Sequence, residues 1–261
     1  MTGEVLQAVS GAVAEITFSN PKKRNAMSLE MWQGLGKAVR QYDFDPEVRV
    51  IVLRGAGEDA FVSGADISEF DEERRGKHGA LSYEDATQHA LDSIRICAKP
   101  TIAITHGYCY GAGLAIATAC DLRYARDDVK FSIPAAKLGF GYASHLTSDL
   151  INVVGPARTK EILITGMAYD ARRAKDMGLV HDVFSAATFE EEALKTIETV
   201  ASNAPLTMRA AKLVIDALLE HKHTSKLTDA DRAVNTCFNS KDAAEGRHAF
   251  AEKRKPEFTG H

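Results

Sequence analysis

Two short blocks of this chain carry residues suited to holding a negatively charged oxygen. One runs from Phe61 through Val62, Ser63, Gly64, Ala65 and Asp66 to Ile67, and the other from Lys99 to Leu114. In the second block, Thr101 to Thr105 has the pattern of a buried strand, and a small-residue turn leads from it into an apolar helix ending at Ala119. The first N–H groups of such a helix have no partner inside it, and the aligned peptide dipoles at its start favour negative charge. In the first block, Gly64 and Ala65 carry too little side chain to keep a substrate oxygen off the backbone. Two convergent N–H donors of this kind suit a thioester enolate.

Other chemistries fit the same residues less well. The glycines fall at Gly107, Gly111 and Gly113, which is not the G-x-G-x-x-G order of a dinucleotide turn, and no Lys-Ser/Thr pair follows as in a phosphate-binding P-loop. Ser63, Ser144 and Cys109 have no nucleophile-elbow context, so covalent catalysis is not expected. Four cysteines, Cys97, Cys109, Cys120 and Cys237, contain no C-x-x-C pair. That argues for free thiols in a reducing compartment, each a small buried apolar residue, and against disulfides or a metal site.

The elements that must position the two blocks are legible around them. Gly11 to Ser19 alternates Ala14, Ile16 and Phe18 against Val13, Glu15 and Thr17, and Val48 to Leu53 is a β-branched run before Gly55, so both are expected to be strands. Between them Ser28 is placed to cap a helix with Met31, Leu35, Ala38 and Val39 on one face. Asp71 to Leu81, rich in charge and glycine, is expected to be a surface loop. Thr188 to Glu191 fits a capping box opening a helix towards Ser202, and Pro205 begins another reaching Leu219.

With 261 residues, 45% of them hydrophobic and 26% charged, the chain can bury a sizeable core. A net charge of -4 offers no general attraction to nucleic acid or an anionic membrane. Met1 to Val5 shows no signal-peptide pattern and no apolar run approaches a membrane span, which makes the cytoplasm the expected location.

The two blocks, together with Ser19 to Ser28 and the closing Ala249 to Pro256, resemble the crotonase or enoyl-CoA hydratase/isomerase superfamily over nearly the whole chain. The resemblance implies an α/β fold: a spiral core of ββα turns over residues 1–200 and a C-terminal helical trimerisation region over 201–261. It also implies an acyl-CoA thioester as ligand, with CoA part of the substrate rather than a cofactor, and the backbone amides of Ala65 and Ala112 as oxyanion donors. Lys22, Lys23 and Arg24 would meet CoA phosphates as cations. Ala26 and the Asp66–Ile67 backbone would curl around adenine and pantetheine. Phe250 and Lys253 match a pair that completes the pocket of a neighbouring subunit, which implies a homotrimer or homohexamer.

The chain departs from this pattern where the chemistry should be. Similar hydratases use two glutamates to position and deprotonate water and to deliver a proton; the matching positions here are Ala115 and Ala135. Tyr142, in the loop after the second missing carboxylate, resembles a tyrosine of the methylmalonyl-CoA decarboxylases of this superfamily. The histidine of that branch's Gly-His-Asp-Ile block, however, is Ala65 here. Glu161, Asp66 and Asp121 read as structural, and His145 as a surface or packing residue. The expected activity is therefore enolate-stabilising acyl-CoA processing without the glutamate pair. Decarboxylation of a malonyl-type CoA is the alternative enzyme. A noncatalytic acyl-CoA binder, or an RNA-binding relative using the basic helix around Lys212, is the alternative from another class, and the charge balance argues against RNA.

Overall fold

The computed structural model describes residues 3–66, 77–138, 141–219 and 239–261, with Asp229, Arg232, Asn235 and Thr236. Strands β1 (Glu4–Ser10) and β2 (Val13–Ser19) form an antiparallel hairpin. Ala14, Ile16 and Phe18 of β2 are fully buried, as a strand's two-residue alternation requires. Helix α1 (Leu29–Phe44) follows, its first turn capped by Ser28, which accepts a hydrogen bond from the Met31 N–H.

The chain then repeats one unit three times: two strands, then a helix. The units are β3 (Val50–Gly55), β4 (Ala60–Val62) and α2 (Lys77–Arg95); β5 (Thr101–Thr105), β6 (Tyr108–Tyr110) and α3 (Ala112–Ala119); β7 (Leu122–Arg126), β8 (Lys130–Ser132) and α4 (Ala135–Leu138). First strands pair in parallel in a six-stranded sheet and second strands in parallel in a four-stranded sheet. This is the expected ββα spiral. The remaining elements are α5 (Ser144–Thr165), β9 (Tyr169–Asp170), α6 (Ala171–Asp176), β10 (Asp182–Phe184), α7 (Phe189–Ala201), α8 (Pro205–Leu219) and α9 (Lys241–Glu252). Gly155, at φ 74° and ψ 168°, breaks α5 ahead of Pro156.

The apolar runs of β3 and β5 are continuous because both faces of the parallel sheet are covered. Ile51, Leu53 and Ala103 join the main core, whereas Val50, Val52, Ile102 and Ile104 pack against Phe189, Ala193 and Ile197 of α7. Among the described residues no helix is long and apolar enough to cross a membrane.

Several expectations need correction. Strand β3 begins at Val50; Val48 is buried, but its N–H turns back to the Asp45 carbonyl at 3.2 Å. Lys77 to Leu81 belongs to α2 rather than to a loop, and residues 71–76 lie outside the described residues. Helix α7 begins after Thr188 but without a capping box: at ψ 0° the Thr188 side chain makes no cap bond, and its hydroxyl pairs with that of Ser185 at 3.0 Å. Three first-turn glutamates, Glu190 to Glu192, suit the positive end of that helix instead. Lys212 is no free surface cation. Its Nζ donates to Asp121 at 2.6 Å and to the Lys99 carbonyl at 3.0 Å, while Asp121 also accepts from the Thr101 N–H at 2.7 Å. Asp121 is thus architectural, as its sequence context suggested. Cys97, Cys109 and Cys120 are buried free thiols; Cys237 lies outside the described residues.

Candidate active site

The loop after β4 and the turn after β6 meet at one cavity of about 570 Å³. Gly64 adopts φ 135°, a conformation open to glycine, and Ala65 follows in a single parallel bridge to Met27. The Met27 N–H donates to the Gly64 carbonyl at 2.9 Å and the Asp66 N–H to the Met27 carbonyl at 2.8 Å. The residues flanking Ala65 take those bonds, and the Ala65 N–H has no acceptor among the described residues.

On the other side, Gly111 at φ 49° and ψ -103° turns the chain from β6 into α3, fixed by its N–H to the Ser132 carbonyl at 2.8 Å. Ala112 is the first residue of α3, and its N–H also has no acceptor among the described residues. The two turns lie one methyl group apart: a Cβ on Gly111 would stand 3.8 Å from Gly64 Cα. Close packing of α3 on β4 sets this approach, since a Cβ on Gly113 would fall 2.3 Å from the Val62 carbonyl oxygen.

Ala65, Ala112 and Tyr142 all line the cavity, and so do Ala115 and Ala135. The Tyr142 hydroxyl has no hydrogen-bond partner among the described residues, and burial pushes its pKa up, so the phenol stays protonated near neutral pH. Glu161 is elsewhere, bound to Arg158 at 2.6 Å and Arg173 at 3.3 Å, and those cations hold its carboxyl below the usual range. Lys22, Lys23 and Arg24 form an exposed basic turn stitched to the loop after β4: the Ser63 N–H donates to the Arg24 carbonyl at 3.1 Å and Ser63 Oγ to the Lys23 carbonyl at 3.0 Å. Lys23 Nζ bonds the buried Asp66 carboxylate at 2.7 Å, and the Arg24 guanidinium lies 4.8 Å from the Tyr108 ring centre. Ala26 is buried beneath this turn. Ile67 and the Phe250 side chain lie outside the described residues, and Lys253, exposed after α9, is not part of the cavity wall.

Several wall residues escaped the sequence reading, among them Glu84, an exposed carboxylate on α2. Trp32 and Tyr83 join α1 to α2 through an indole N–H to phenol bond of 2.9 Å. Their signal was the helical spacing of Tyr83, Thr87, Ala90, Leu91 and Ile94, all buried. His145, expected to be a surface or packing residue, lines the cavity half-buried.

The sequence model of the family described as enoyl-CoA hydratase/isomerase matches residues 8–261. The chain belongs to the enoyl-CoA hydratase/isomerase family. A short-chain-enoyl-CoA hydratase of Clostridium acetobutylicum is 31% identical over 257 residues, covering 97% of this chain and 96% of that protein. Among solved structures, an enoyl-CoA hydratase/carnithine racemase from Magnetospirillum magneticum superposes with a TM-score of 0.93 at 35% identity, covering 100% of this chain and 97% of the other. An enoyl-CoA hydratase from Bacillus anthracis gives 0.92 at 28% identity, over 99% and 100%. Membership of the enoyl-CoA hydratase/isomerase family supports acyl-CoA processing.

Proposed function

We propose that this chain is an acyl-CoA-processing enzyme of enoyl-CoA hydratase/isomerase type that seats the thioester carbonyl oxygen between the N–H groups of Ala65 and Ala112. The observation that carries this reading is the pair of unpartnered N–H groups at one cavity. As electrons move onto the carbonyl oxygen, these fixed donors stabilise the enolate without having to reorganise. Lys22, Lys23 and Arg24 meet the CoA phosphates, and Ala26 with Asp66 and Ile67 flank the adenine and pantetheine. Phe250 and Lys253 close the pocket of a neighbouring copy in a homotrimer or homohexamer; exposed Leu213, Ile215, Leu218 and Leu219 on α8 support burial of the 201–261 region between copies. Buried thiols at Cys97, Cys109 and Cys120 suit the cytoplasm.

The reaction proposed is not hydration through a glutamate pair, because Ala115 and Ala135 occupy the cavity wall and neither moves a proton. That same observation favours a second reading, decarboxylation of a malonyl-type CoA. The bond to the carboxylate breaks, carbon dioxide leaves, the electron pair enters the enolate, and the α-carbon then takes a proton from water or a weak acid. An oxyanion site suffices to start this, without a strong base.

Purified protein incubated with a mixed acyl-CoA panel and followed by mass spectrometry tests both readings. Acetyl-, crotonyl- and malonyl-type CoAs should raise the melting temperature, while the free acids should not. Crotonyl-CoA hydration should be slow, since each positioned acid-base group contributes roughly 100- to 10,000-fold. Unchanged melting with all three thioesters at millimolar concentration removes the ligand class. Stabilisation without any turnover makes the protein a binder, and fast hydration means another residue replaces both glutamates.

A further inference from the structure

Four of the eight polar side chains on the cavity wall have partners. Ser63 Oγ donates to the Lys23 carbonyl, Thr87 Oγ1 to the Tyr83 carbonyl at 2.9 Å, and Trp32 Nε1 to the Tyr83 hydroxyl, which donates in turn to the Met27 carbonyl at 3.3 Å. Glu84, exposed on α2, Tyr110 on β6, and Tyr142 and His145, which flank the start of α5, make no side-chain bond to a described residue, and of these only His145 has a polar atom, Nε2, shut off from solvent. A polar atom withdrawn from water without a partner is costly, and native structures keep few of them.

The backbone under this pair is firmly held. Arg95 Nη2 donates to the His145 carbonyl at 3.1 Å, and the same guanidinium grips Asp149, from Nε at 3.0 Å and from Nη2 at 2.6 Å. The first turn of α5 is thereby fixed to α2, so the imidazole is kept at the wall it shares with Ala115, Ile133, Ala135, Leu138 and Leu146. No described group bonds either ring nitrogen.

We infer that His145, together with Tyr142, forms a polar seat for an oxygen atom carried by the acyl group beyond the thioester, so that the preferred substrate is an oxygenated acyl-CoA. The inference rests on the acyl-CoA reading above. A protonated phenol donates, and an imidazole donates or accepts according to its tautomer and can present either nitrogen by turning about its side-chain torsions. A hydroxyl, oxo or carboxylate oxygen satisfies both. A plain alkyl chain leaves both unpaired, and sites built to bond an oxygen reject analogues that lack it.

The test is calorimetric titration of wild type and His145→Leu with butyryl-CoA, 3-hydroxybutyryl-CoA, acetoacetyl-CoA and succinyl-CoA, the last three separating hydroxyl, oxo and carboxylate. Wild type should bind at least one oxygenated thioester about tenfold more tightly than butyryl-CoA, a hydrogen bond's worth of discrimination. In His145→Leu the two constants should converge to within about twofold. Equal affinities in wild type, or a preference that survives the substitution, overturn the inference. If His145→Leu does not fold, His145→Phe is read by the same criteria. Failure of every thioester to bind, butyryl-CoA included, removes the acyl-CoA reading and this inference with it, whereas binding without preference removes only the inference.

Discussion

The N–H of Ala112 can be deleted while the helix it begins is kept. Ala112 is the first residue of α3, its N–H has no acceptor among the described residues, and proline is well tolerated at this helical position. Gly111 lacks the Cβ that clashes with a following proline ring, and its ψ of -103° is far from the helical region that proline disfavours. Ala112→Pro therefore removes no intramolecular hydrogen bond, and stability should change by about 1 kcal/mol or less. For a chain of this size that is a melting shift of roughly 2–4 °C. Loss of one oxyanion donor typically lowers kcat by about 100- to 1,000-fold, or roughly 2.7–4 kcal/mol of transition-state stabilisation. Steady-state turnover of the thioester found by panel screening reads this directly. Infrared spectroscopy of a carbonyl-labelled bound thioester should show a smaller red shift in the variant than in wild type. A folded Ala112→Pro protein with more than about a fifth of wild-type turnover would refute the assignment of this N–H.

Tyr142→Phe should lower turnover at least about tenfold, roughly 1.4 kcal/mol, whereas Glu161→Gln, paired outside the cavity with Arg158 and Arg173, should be much milder; steady-state kinetics showing the reverse order would move the reacting end of the acyl group away from Tyr142. Gly113→Ala should destabilise the protein by about 1–3 kcal/mol in a thermal melt, because its Cβ would fall 2.3 Å from the Val62 carbonyl oxygen and lift α3 from β4. Burial pushes the Cys97 and Cys120 thiols from 9.0 up to about 12, so at pH 8 about one in 10,000 is thiolate and neither should react with iodoacetamide in the native state, as peptide mass mapping will report. Their folded-state values are raised, so the stability they contribute is complete below pH 9 and is lost as pH rises from 9 towards 12; thermal melts across that window should fall.

The parts of the fold that sequence reveals are those where one local force decides. Thr101 to Thr105 is apolar or β-branched throughout because the sheet covers both its faces, and α8 begins where Pro205 allows it and reaches Leu219 as expected. The small-residue turn was legible because α3 must pack closely against β4. What stayed hidden depended on contacts across the chain. The start of α2 lies in a charged, glycine-bearing stretch whose helicity owes more to Tyr83 and Leu91 docking on α1 than to its own propensity. Lys212 looked like part of a basic face until Asp121, 91 residues away, proved to hold it. His145 gave no local sign that the loop before it would turn its ring to the cavity wall.

The chain has one tryptophan, Trp32, and it stands in the wall of the proposed substrate pocket at 1% exposure, its indole N–H held by the Tyr83 hydroxyl. The protein therefore carries its own optical reporter. Emission from a dry indole lies to the blue of one in water, so unfolding registers as a red shift from a single, known position. An acyl chain entering beside the ring changes its surroundings and its quenching with no competing indole elsewhere in the chain. Occupancy of this pocket can thus be followed in unlabelled protein, by titration or in a rapid mixer, before any reaction product has been identified.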